Sequence, residues 1–292
     1  MQYTITGYST ALFSTWYFIE ELRLLFDAGE GLTSSLLQKS RKINHAFISH
    51  ADRDHLTGLL QFNQLNARPG FPVIHYPKDS GSFPALQEFS TRFDPHVAGS
   101  VWVPVSPETE VRIKDDIIVK PIANGHVLTA NGLVKSLSYK VIQSKMKIRP
   151  ELAKLPAEDI KHLIEERGKS RTHTEIRTNL ISYSGDTPVE DLTRWENSKI
   201  LIHEATFLRD EEEFISPHSN KHSFLEEVME MVSGSNIEQL ILGHFSSRYS
   251  PEVIDRRILE LCNKYAINIP VFRILPGLVA TDILKTKPIN FA

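Results

Sequence analysis

The sequence has one cysteine, no long apolar run and no excess of positive charge, and each of these absences narrows the classes of protein to consider. Cys262 is the only cysteine, which excludes an intramolecular disulfide and is typical of a cytoplasmic protein. The chain has no apolar run of about 18 residues and no basic-then-apolar leader, so we expect neither a membrane span nor a secretory signal. The net charge of −3 gives no global attraction to nucleic acid, so polyanion binding would require a local basic patch.

What the sequence does contain is an alternation of strand-like and helix-like segments. Of the 292 residues, 41% are hydrophobic and 24% charged, so the chain can bury a core. Short apolar runs predict buried strands at Leu22–Phe26, Ala46–Ile48, Ile117–Val119, Leu180–Tyr183, Ile200–Ile202 and Leu240–Leu242. Helical periodicity predicts helices at Leu32–Gln38, Leu56–Leu65, Ala157–Arg167, Ser223–Val232 and Pro251–Tyr265. The alternation favours an α/β architecture with layered sheets and outer helices.

The segment from about residue 143 to residue 178 differs from the rest in being basic and poor in apolar residues. Its basic residues are Lys145, Lys147, Arg149, Lys154, Lys161, Arg167, Lys169, Arg171 and Arg177. A solvated, charged helix and loop would explain this composition, and so would a functional basic arm. The composition alone leaves both interpretations open.

The most informative stretch is Phe47–His55, where a short apolar strand is followed by a cluster of polar side chains. His50, Asp52, Asp54 and His55 lie within six residues of one another. Imidazole and carboxylate groups are suitable ligands for first-row metals, and a loop at a strand end can turn several of them inward together. A single histidine here would be typical of a core residue, but this spacing indicates a metal site.

This stretch resembles the HxHxDH signature of the metallo-β-lactamase fold, with Asp52 standing where the second histidine usually does. Further elements follow the order of the tRNase Z branch of that fold, and together they make the resemblance specific. They are Phe26-Asp27-Ala28-Gly29-Glu30-Gly31, Asn124-Gly125-His126, Gly185-Asp186-Thr187, His203-Glu204-Ala205-Thr206-Phe207, His222-Ser223 and Gly243-His244-Phe245-Ser246-Ser247-Arg248-Tyr249. The resemblance implies an αββα sandwich of two mixed sheets flanked by helices. It also implies a single domain over residues 1–292, with a basic arm or lid inserted at about 143–178.

The resemblance also implies a site for two divalent metal ions. One ion would take His50, Asp52 and His126, and the second would take Asp54, His55 and His244, with Asp186 bridging both. Two cations would relieve the repulsion between crowded carboxylates and provide a hydroxide nucleophile near neutral pH. Zinc is the family default, but the hard, anionic Asp52 carboxylate moves the preference toward manganese or iron.

Three further residues receive roles in substrate chemistry from the same resemblance. His222 would protonate the leaving oxygen and Glu204 would orient its ring, with Asp54 also counted among the catalytic residues. The alternative for His222 is that it merely caps the following helix. Arg248 would contact a phosphate of the substrate, or else is a surface residue. His203 is either structural or a support for the site, and we expect the remaining histidines, among them His45, His75 and His218, on the surface or in loops.

Departures from the tRNase Z pattern leave the substrate open between three functions. The inserted segment lacks the Gly-Pro turn of the family's exosite arm and contains only Gly168. An endoribonuclease that cuts pre-tRNA on the 3′ side, or a phosphodiesterase for small cyclic or nucleotide diesters with the segment as a lid, would both fit. A diiron redox protein is a third interpretation, disfavoured because no flavin-binding domain follows and because Glu204 and His222 are retained. The expected partners are RNA or a small phosphodiester and, from the family's habit, a second copy in a homodimer.

Overall fold

Apolar strands assemble into two facing sheets in the computed structural model, which describes residues 3–127, 129, 132–208 and 221–291. The strands are β1 (Ile5–Thr10), β2 (Ser14–Ile19), β3 (Leu24–Phe26), β4 (His45–Phe47), β5 (Val73–Pro77), β6 (Val101–Val105), β7 (Val111–Lys114), β8 (Ile117–Ala123), β9 (Leu137–Ile148), β10 (His173–Tyr183), β11 (Ile200–Glu204), β12 (Gln239–Gly243) and β13 (Val271–Arg273). The first sheet has the order β1-β2-β3-β4-β5-β6 and the second has the order β13-β12-β11-β10-β9-β8-β7. Neighbouring strands are parallel within β3–β6 of the first sheet and within β10–β13 of the second. The remaining neighbouring pairs are antiparallel, so both sheets are mixed.

Helices cover the outer face of each sheet. They are α1 (Leu32–Leu36), α2 (Arg53–Leu56), α3 (Leu59–Asn66), α4 (Ser82–Phe93), α5 (Ala157–Arg167), α6 (Lys169–Thr172), α7 (Leu225–Ser233) and α8 (Pro251–Lys264). Apolar residues of α1, α3 and α4 pack on the first sheet, and those of α7 and α8 pack on the second. A third apolar cluster, with Phe26, Phe47, Tyr139 and Tyr183, fills the space between the sheets. The predicted αββα sandwich is confirmed.

Two predicted elements are interrupted for identifiable reasons. The predicted helix Leu56–Leu65 is split into α2 and α3 around Gly58, whose backbone lies so close to Gly29 that a Cβ would come within 2.2 Å of its carbonyl oxygen. The predicted strand Leu22–Phe26 begins only at Leu24, because Arg23 adopts a left-handed conformation with φ of 51° and ends a short 3-10 turn. The other predicted elements are present with shifted ends, except α5, whose bounds are as predicted.

The basic segment is a two-stranded ribbon with two helices at its tip. β9 pairs with β8 only as far as Gln143, and β10 pairs with β11 only from Ile181 onward. Residues 145–148 and 173–176 therefore pair only with each other, within the described part of the chain, and extend past the neighbouring strands. Helices α5 and α6 and the loop before them make up most of the segment, in line with the helix-and-loop interpretation, and the strand ladder orders only the residues that join them to the sheet.

Two histidines outside the motifs, His45 and His75, lie in strands rather than on the surface or in loops as predicted, whereas His162 is exposed on α5 as predicted. His75 is buried in β5, where its ring stacks on Phe47 at a centroid distance of 4.1 Å. His45 lies in β4 with its Nδ1 atom 3.2 Å from Nε2 of His75. Burial lowers the pKa of His75 to about 3 and that of His45 to about 4, so both rings are neutral. His218 lies outside the described residues.

No helix in the described ranges is long and apolar enough to cross a bilayer.

Gly29 provides a test of how closely the loop after β3 packs against the loop after β4. A Cβ at Gly29 would lie 2.4 Å from the carbonyl oxygen of Asp54 and 2.6 Å from the amide nitrogen of Thr15. Because both contacts are with backbone, we expect Gly29→Ala to lower the free energy of unfolding by about 1–3 kcal/mol, the usual cost of overpacking. Equilibrium unfolding in urea measures the change.

The matched control is Gly81→Ala at the start of α4. Gly81 has helical dihedrals and nothing within 4 Å of an added Cβ, so alanine there should leave stability unchanged or raise it by about 0.4–1 kcal/mol. Equal stability of the Gly29 and Gly81 variants would contradict the close contact between the two loops.

Candidate metal centre

The polar residues of the motifs lie at one edge of the sandwich, where strands of both sheets end. In the first sheet Asp27 follows β3 and residues 49–55 follow β4. In the second sheet His126, Asp186 and His244 follow β8, β10 and β12. Strands that run in the same direction end at the same edge, which explains how residues distant in sequence come together.

The first group of candidate ligands consists of His50, Asp52 and His126. The Nε2 atoms of both histidines lie 3.6 Å from Oδ2 of Asp52. The imidazoles are buried, whereas 44% of the Asp52 side chain is exposed, so the group is open to solvent on the side of the carboxylate. Interaction with the neighbouring His126 and His50 imidazoles holds the pKa of Asp52 well below its usual range, so it is ionised at neutral pH.

The second group consists of Asp54, His55, Asp186 and His244, and all four are buried. Oδ2 of Asp186 lies 3.2 Å from Nε2 of His55 and 3.3 Å from Nε2 of His244. The same oxygen lies 3.7 Å from Nε2 of His50 in the first group. Asp186 thus reaches both groups, which is the position that a bridging carboxylate requires.

A buried carboxylate, Asp27, orients two of the imidazoles. It accepts hydrogen bonds from the Ser49 amide at 2.6 Å, the Ser49 hydroxyl at 2.8 Å, His55 Nδ1 at 2.7 Å and the Tyr183 hydroxyl. Because the Ser49 hydroxyl donates to Asp27, it accepts from Nδ1 of His50 at 2.9 Å. Sequence reasoning missed this role of Asp27, although an acidic residue directly after a buried strand was an available signal.

The other two imidazoles are oriented in the same way by different partners. Nδ1 of His126 lies 2.8 Å from the carbonyl oxygen of Lys221, which can only accept, so this nitrogen carries the proton. The Thr206 hydroxyl donates to Glu204 at 2.5 Å and therefore accepts from Nδ1 of His244 at 2.8 Å. All four rings thus keep a proton on Nδ1 and turn Nε2 toward the centre, as metal-ligating histidines do.

The centre has the chemistry of a cation site. Nε2 of His50, His55 and His126 is buried without a hydrogen-bond partner among the described residues, and each such nitrogen would cost about 1–3 kcal/mol. Burial acts to lower the pKa of His55, but Asp186 and Asp27 raise it well above its ordinary value. The site therefore attracts positive charge strongly enough to recruit a proton, and a metal ion would satisfy the same demand.

The spacing of the ligand atoms fits transition metals. The nitrogen–oxygen separations within the two groups are between 3.2 and 3.6 Å. Two atoms bound to one tetrahedral cation at about 2.0–2.2 Å are separated by roughly 3.3–3.6 Å. The groups can therefore hold divalent metal ions with little movement of the side chains.

His222 and Glu204 form a hydrogen-bonded pair beside the centre. Glu204 is buried and accepts from the Thr187 amide at 2.8 Å, and its Oε1 lies 3.2 Å from Nδ1 of His222. Nδ1 of His222 is 3.8 Å from Oδ2 of Asp186, so the ring lies at the edge of the second group. Burial acts to lower the pKa of His222, but Glu204 outweighs it and raises the pKa to about 9. In the described residues His222 forms no cap on α7.

Arg248 and His203 lie outside the ligand groups. Arg248 is exposed in the loop after His244, where its guanidinium donates to Ser246 Oγ at 3.0 Å and lies over the ring of Phe207. His203 is buried on the face of β11 opposite to that of Glu204, and its ring lies edge-on to Trp195. The position of His203 favours the structural alternative.

Two residues of the centre have strained backbones. Asp27 has φ of 53° and His244 has φ of 60°, both in the left-handed region that favours glycine. Such conformations cost about 1–3 kcal/mol each and persist only where the surroundings impose them, which occurs most often at functional sites.

No protein-family model matches the chain. Among curated proteins, tRNase Z TRZ2 (chloroplastic) of Arabidopsis thaliana is 28% identical over 279 residues, which covers 91% of this chain and 74% of the relative. Ribonuclease Z of Methanocaldococcus jannaschii is 27% identical and covers 91% of this chain and 88% of the relative. The resemblance found in the motifs therefore extends over most of the chain.

Solved structures agree on the fold. The metallo-beta-lactamase fold protein YhfI from Bacillus subtilis superposes with a TM-score of 0.63 at 15% identity, covering 96% of this chain and all of the other. The short form of human tRNase Z gives a TM-score of 0.59 at 17% identity, covering 95% of this chain and 98% of the other. The chain has the metallo-β-lactamase fold and is similar in sequence to ribonuclease Z.

Asp27 generates a prediction about metal affinity. An asparagine in its place would keep the shape of the side chain but lose the charge that holds the proton on Nδ1 of His55. We expect Asp27→Asn to weaken metal binding about 10–100-fold, the usual effect of losing such a partner. Competition with a chromophoric chelator measures the dissociation constant, and circular dichroism checks that the variant is folded.

The control is Asp94→Asn, which removes another buried carboxyl group at the end of α4 and outside the centre. Its metal affinity should equal that of the wild type. A folded Asp27→Asn protein with wild-type affinity would show that Asp27 does not act on the metal through His55.

Proposed function

We propose that this chain is a two-metal phosphodiester hydrolase that cleaves RNA in the manner of ribonuclease Z, with a 3′-extended pre-tRNA as the substrate. The observation that carries the proposal is the pair of His/Asp groups joined through Asp186, with His222 and Glu204 at their edge. The similarity over most of the chain to relatives named tRNase Z and ribonuclease Z supports the reaction class.

The proposed ligands are those that the motifs implied. His50, Asp52 and His126 would hold one cation, Asp54, His55 and His244 the other, and Asp186 would bridge them. When bound, the two cations would polarise the phosphoryl group and lower the pKa of the attacking water. Zinc is the simplest occupant, and the oxygen ligand of Asp52 favours manganese or iron in the first position.

The protein's own part in the reaction centres on His222. Its Nδ1 is held by Glu204, whose other oxygen accepts from the Thr206 hydroxyl, so the ring has a fixed orientation. Nε2 is then the nitrogen left to donate a proton to the departing oxygen, as a general acid must. Asp186 and Asp54 contribute by holding negative charge against the cations, and exposed Arg248 would contact a neighbouring phosphate.

The ribbon of β9 and β10 favours an RNA substrate over a small diester. It extends past the sheet and carries exposed Lys145, Lys147 and Arg177, although Arg177 is bonded to Glu110 at 2.8 Å. A lid would need to cover the centre, whereas a projecting basic arm can reach phosphates distant from the cleaved bond.

A cytoplasmic location, one domain and a homodimer are further predictions from the sequence.

The direct test is incubation of the metal-loaded protein with a 3′-extended pre-tRNA and with bis(p-nitrophenyl) phosphate. We expect cleavage of both substrates, with the RNA cut at the 3′ side of the tRNA body, and close to two metal ions per chain by elemental analysis. Asp186→Asn, which removes the shared carboxylate, is the inactive control. Hydrolysis of the small diester alone would favour the small-molecule phosphodiesterase, and no hydrolysis of either would overturn the proposal.

His222 generates a prediction that separates proton donation from metal binding. General acid catalysis matters for a poor leaving group such as a ribose alkoxide and little for p-nitrophenolate. We therefore expect His222→Ala to lose about 10²-fold or more in kcat on RNA, much less on bis(p-nitrophenyl) phosphate, and none of its metal. Steady-state kinetics on both substrates, with metal analysis of the same samples, makes the comparison.

Glu204→Gln is the matched variant for the orienting role. It should show a weaker form of the same pattern, because the proton donor remains and only its orientation is loosened. Equal losses on both substrates in His222→Ala, or a loss of metal, would argue instead that His222 supports the metal ions.

A further inference from the structure

The turn between β1 and β2 exposes two large apolar side chains beside the metal centre. Leu12 is 87% exposed and Phe13 is 59% exposed, although both are residues that folding normally buries. Leu12 adopts a left-handed conformation with φ of 70°, which a leucine avoids unless its surroundings impose it. Neither the core nor the proposed catalytic groups use these side chains.

Hydrogen bonds fix this turn to the ligand loops. The Leu12 amide donates to Oδ2 of Asp54 at 3.1 Å, and the Ala11 amide donates to the carbonyl oxygen of Phe245 at 3.3 Å. Phe245 directly follows the candidate ligand His244. The exposed side chains at the turn therefore border the centre and are held by the same residues that shape it.

A second segment extends the apolar surface. The Gly277 amide donates to Thr10 Oγ1 at 3.0 Å, which places the loop after β13 against the end of β1. In that loop Leu278 is 55% exposed and Val279 is 42% exposed. We call the four exposed side chains Leu12, Phe13, Leu278 and Val279 the apolar rim. Residues 10–15 and 274–280, which carry the rim, include no charged side chain.

The centre and the rim differ in the chemistry that they would bind. Three carboxylates and two divalent cations would leave the centre positive, which suits a phosphate. The rim is uncharged and contains an aromatic ring, which suits a flat, uncharged group held close to that phosphate. A nucleotide has this combination, because its base is joined to its phosphate through one sugar, and bases of any sequence stack on aromatic side chains.

We propose that the apolar rim, with Phe13 as its aromatic member, is the platform on which a base flanking the scissile phosphate stacks. The proposal rests on the proposed function and deepens it by assigning a determinant of nucleotide specificity. Stacking on Phe13 needs no particular base, so the rim selects nucleic acid over base-free phosphodiesters rather than one sequence over another.

The test compares ligands that differ only in the base. Equilibrium binding of cytidine 5′-monophosphate and of ribose 5-phosphate to the metal-loaded protein is measured by calorimetry. We expect the wild type to prefer the nucleotide by about 5- to 100-fold, the contribution of one base–aromatic stack. Phe13→Ala should abolish most of this preference and Phe13→Trp should retain it, with the same metal content in each protein.

Phe89→Ala is the control, since Phe89 is a comparably exposed phenylalanine on α4 away from the rim, and it should keep the full preference. A wild type without the preference, or a Phe13→Ala protein that keeps it, would overturn the proposal. If Phe13→Ala instead converts a dimer to a monomer at unchanged base preference, the rim is a subunit interface and the proposal fails. Because binding is measured without turnover, a base preference in a protein that hydrolyses no diester would refute the proposed function and leave the rim standing.

Discussion

The Asp27 carboxylate is the interaction on which both the sandwich and the centre depend. It lies at the end of the first sheet, accepts two hydrogen bonds from Ser49 and one from His55 in the signature loop, and accepts a fourth from Tyr183 in the second sheet. A buried charge is tolerated only with such partners, since each missing one would leave it poorly solvated. The same bonds that satisfy Asp27 therefore align the two sheets and direct His50 and His55 toward the centre.

Once the imidazoles are fixed, the centre cannot be electrically satisfied by the protein alone. Asp54 and Asp186 lie within 4.8 Å of each other, and His50 lies between Asp186 and Asp52, while the histidines present lone pairs rather than protons to these carboxylates. Without cations, bound protons must balance the negative charge of the carboxylates. The pKa of His55 therefore lies well above its ordinary value. Metal binding and the release of such protons are thus linked, and the affinity for metal rises with pH until the ligands are fully deprotonated.

The sequence predicts best the features that depend on neighbouring residues. Helix α5 has the predicted bounds because Pro156 and Gly168 flank it. The grouping of the candidate ligands, which are distant in sequence, came instead from the resemblance of their motifs to a known family. The division of the predicted helix Leu56–Leu65 at Gly58, by contrast, depends on contact with Gly29, which is distant in sequence. The burial of His75 against Phe47 is likewise tertiary, and no local pattern encodes it.

The division between the centre and its surroundings bears on how the substrate is chosen. The candidate ligands lie on loops at strand ends or, for Asp54 and His55, on the short helix α2. This placement would make hydrolysis a property of the sandwich, which would act on any phosphodiester that reaches the centre. We propose that selection comes from groups that differ chemically from the ligands, namely the basic ribbon and the apolar rim. A phosphate contact on the ribbon adds affinity for any polyanion but carries no information about bases. Stacking on the rim recognises the base but not the charge. An RNA chain can engage both at once, whereas a small diester can engage at most one, so their combination favours RNA through two weak contacts rather than one strong one.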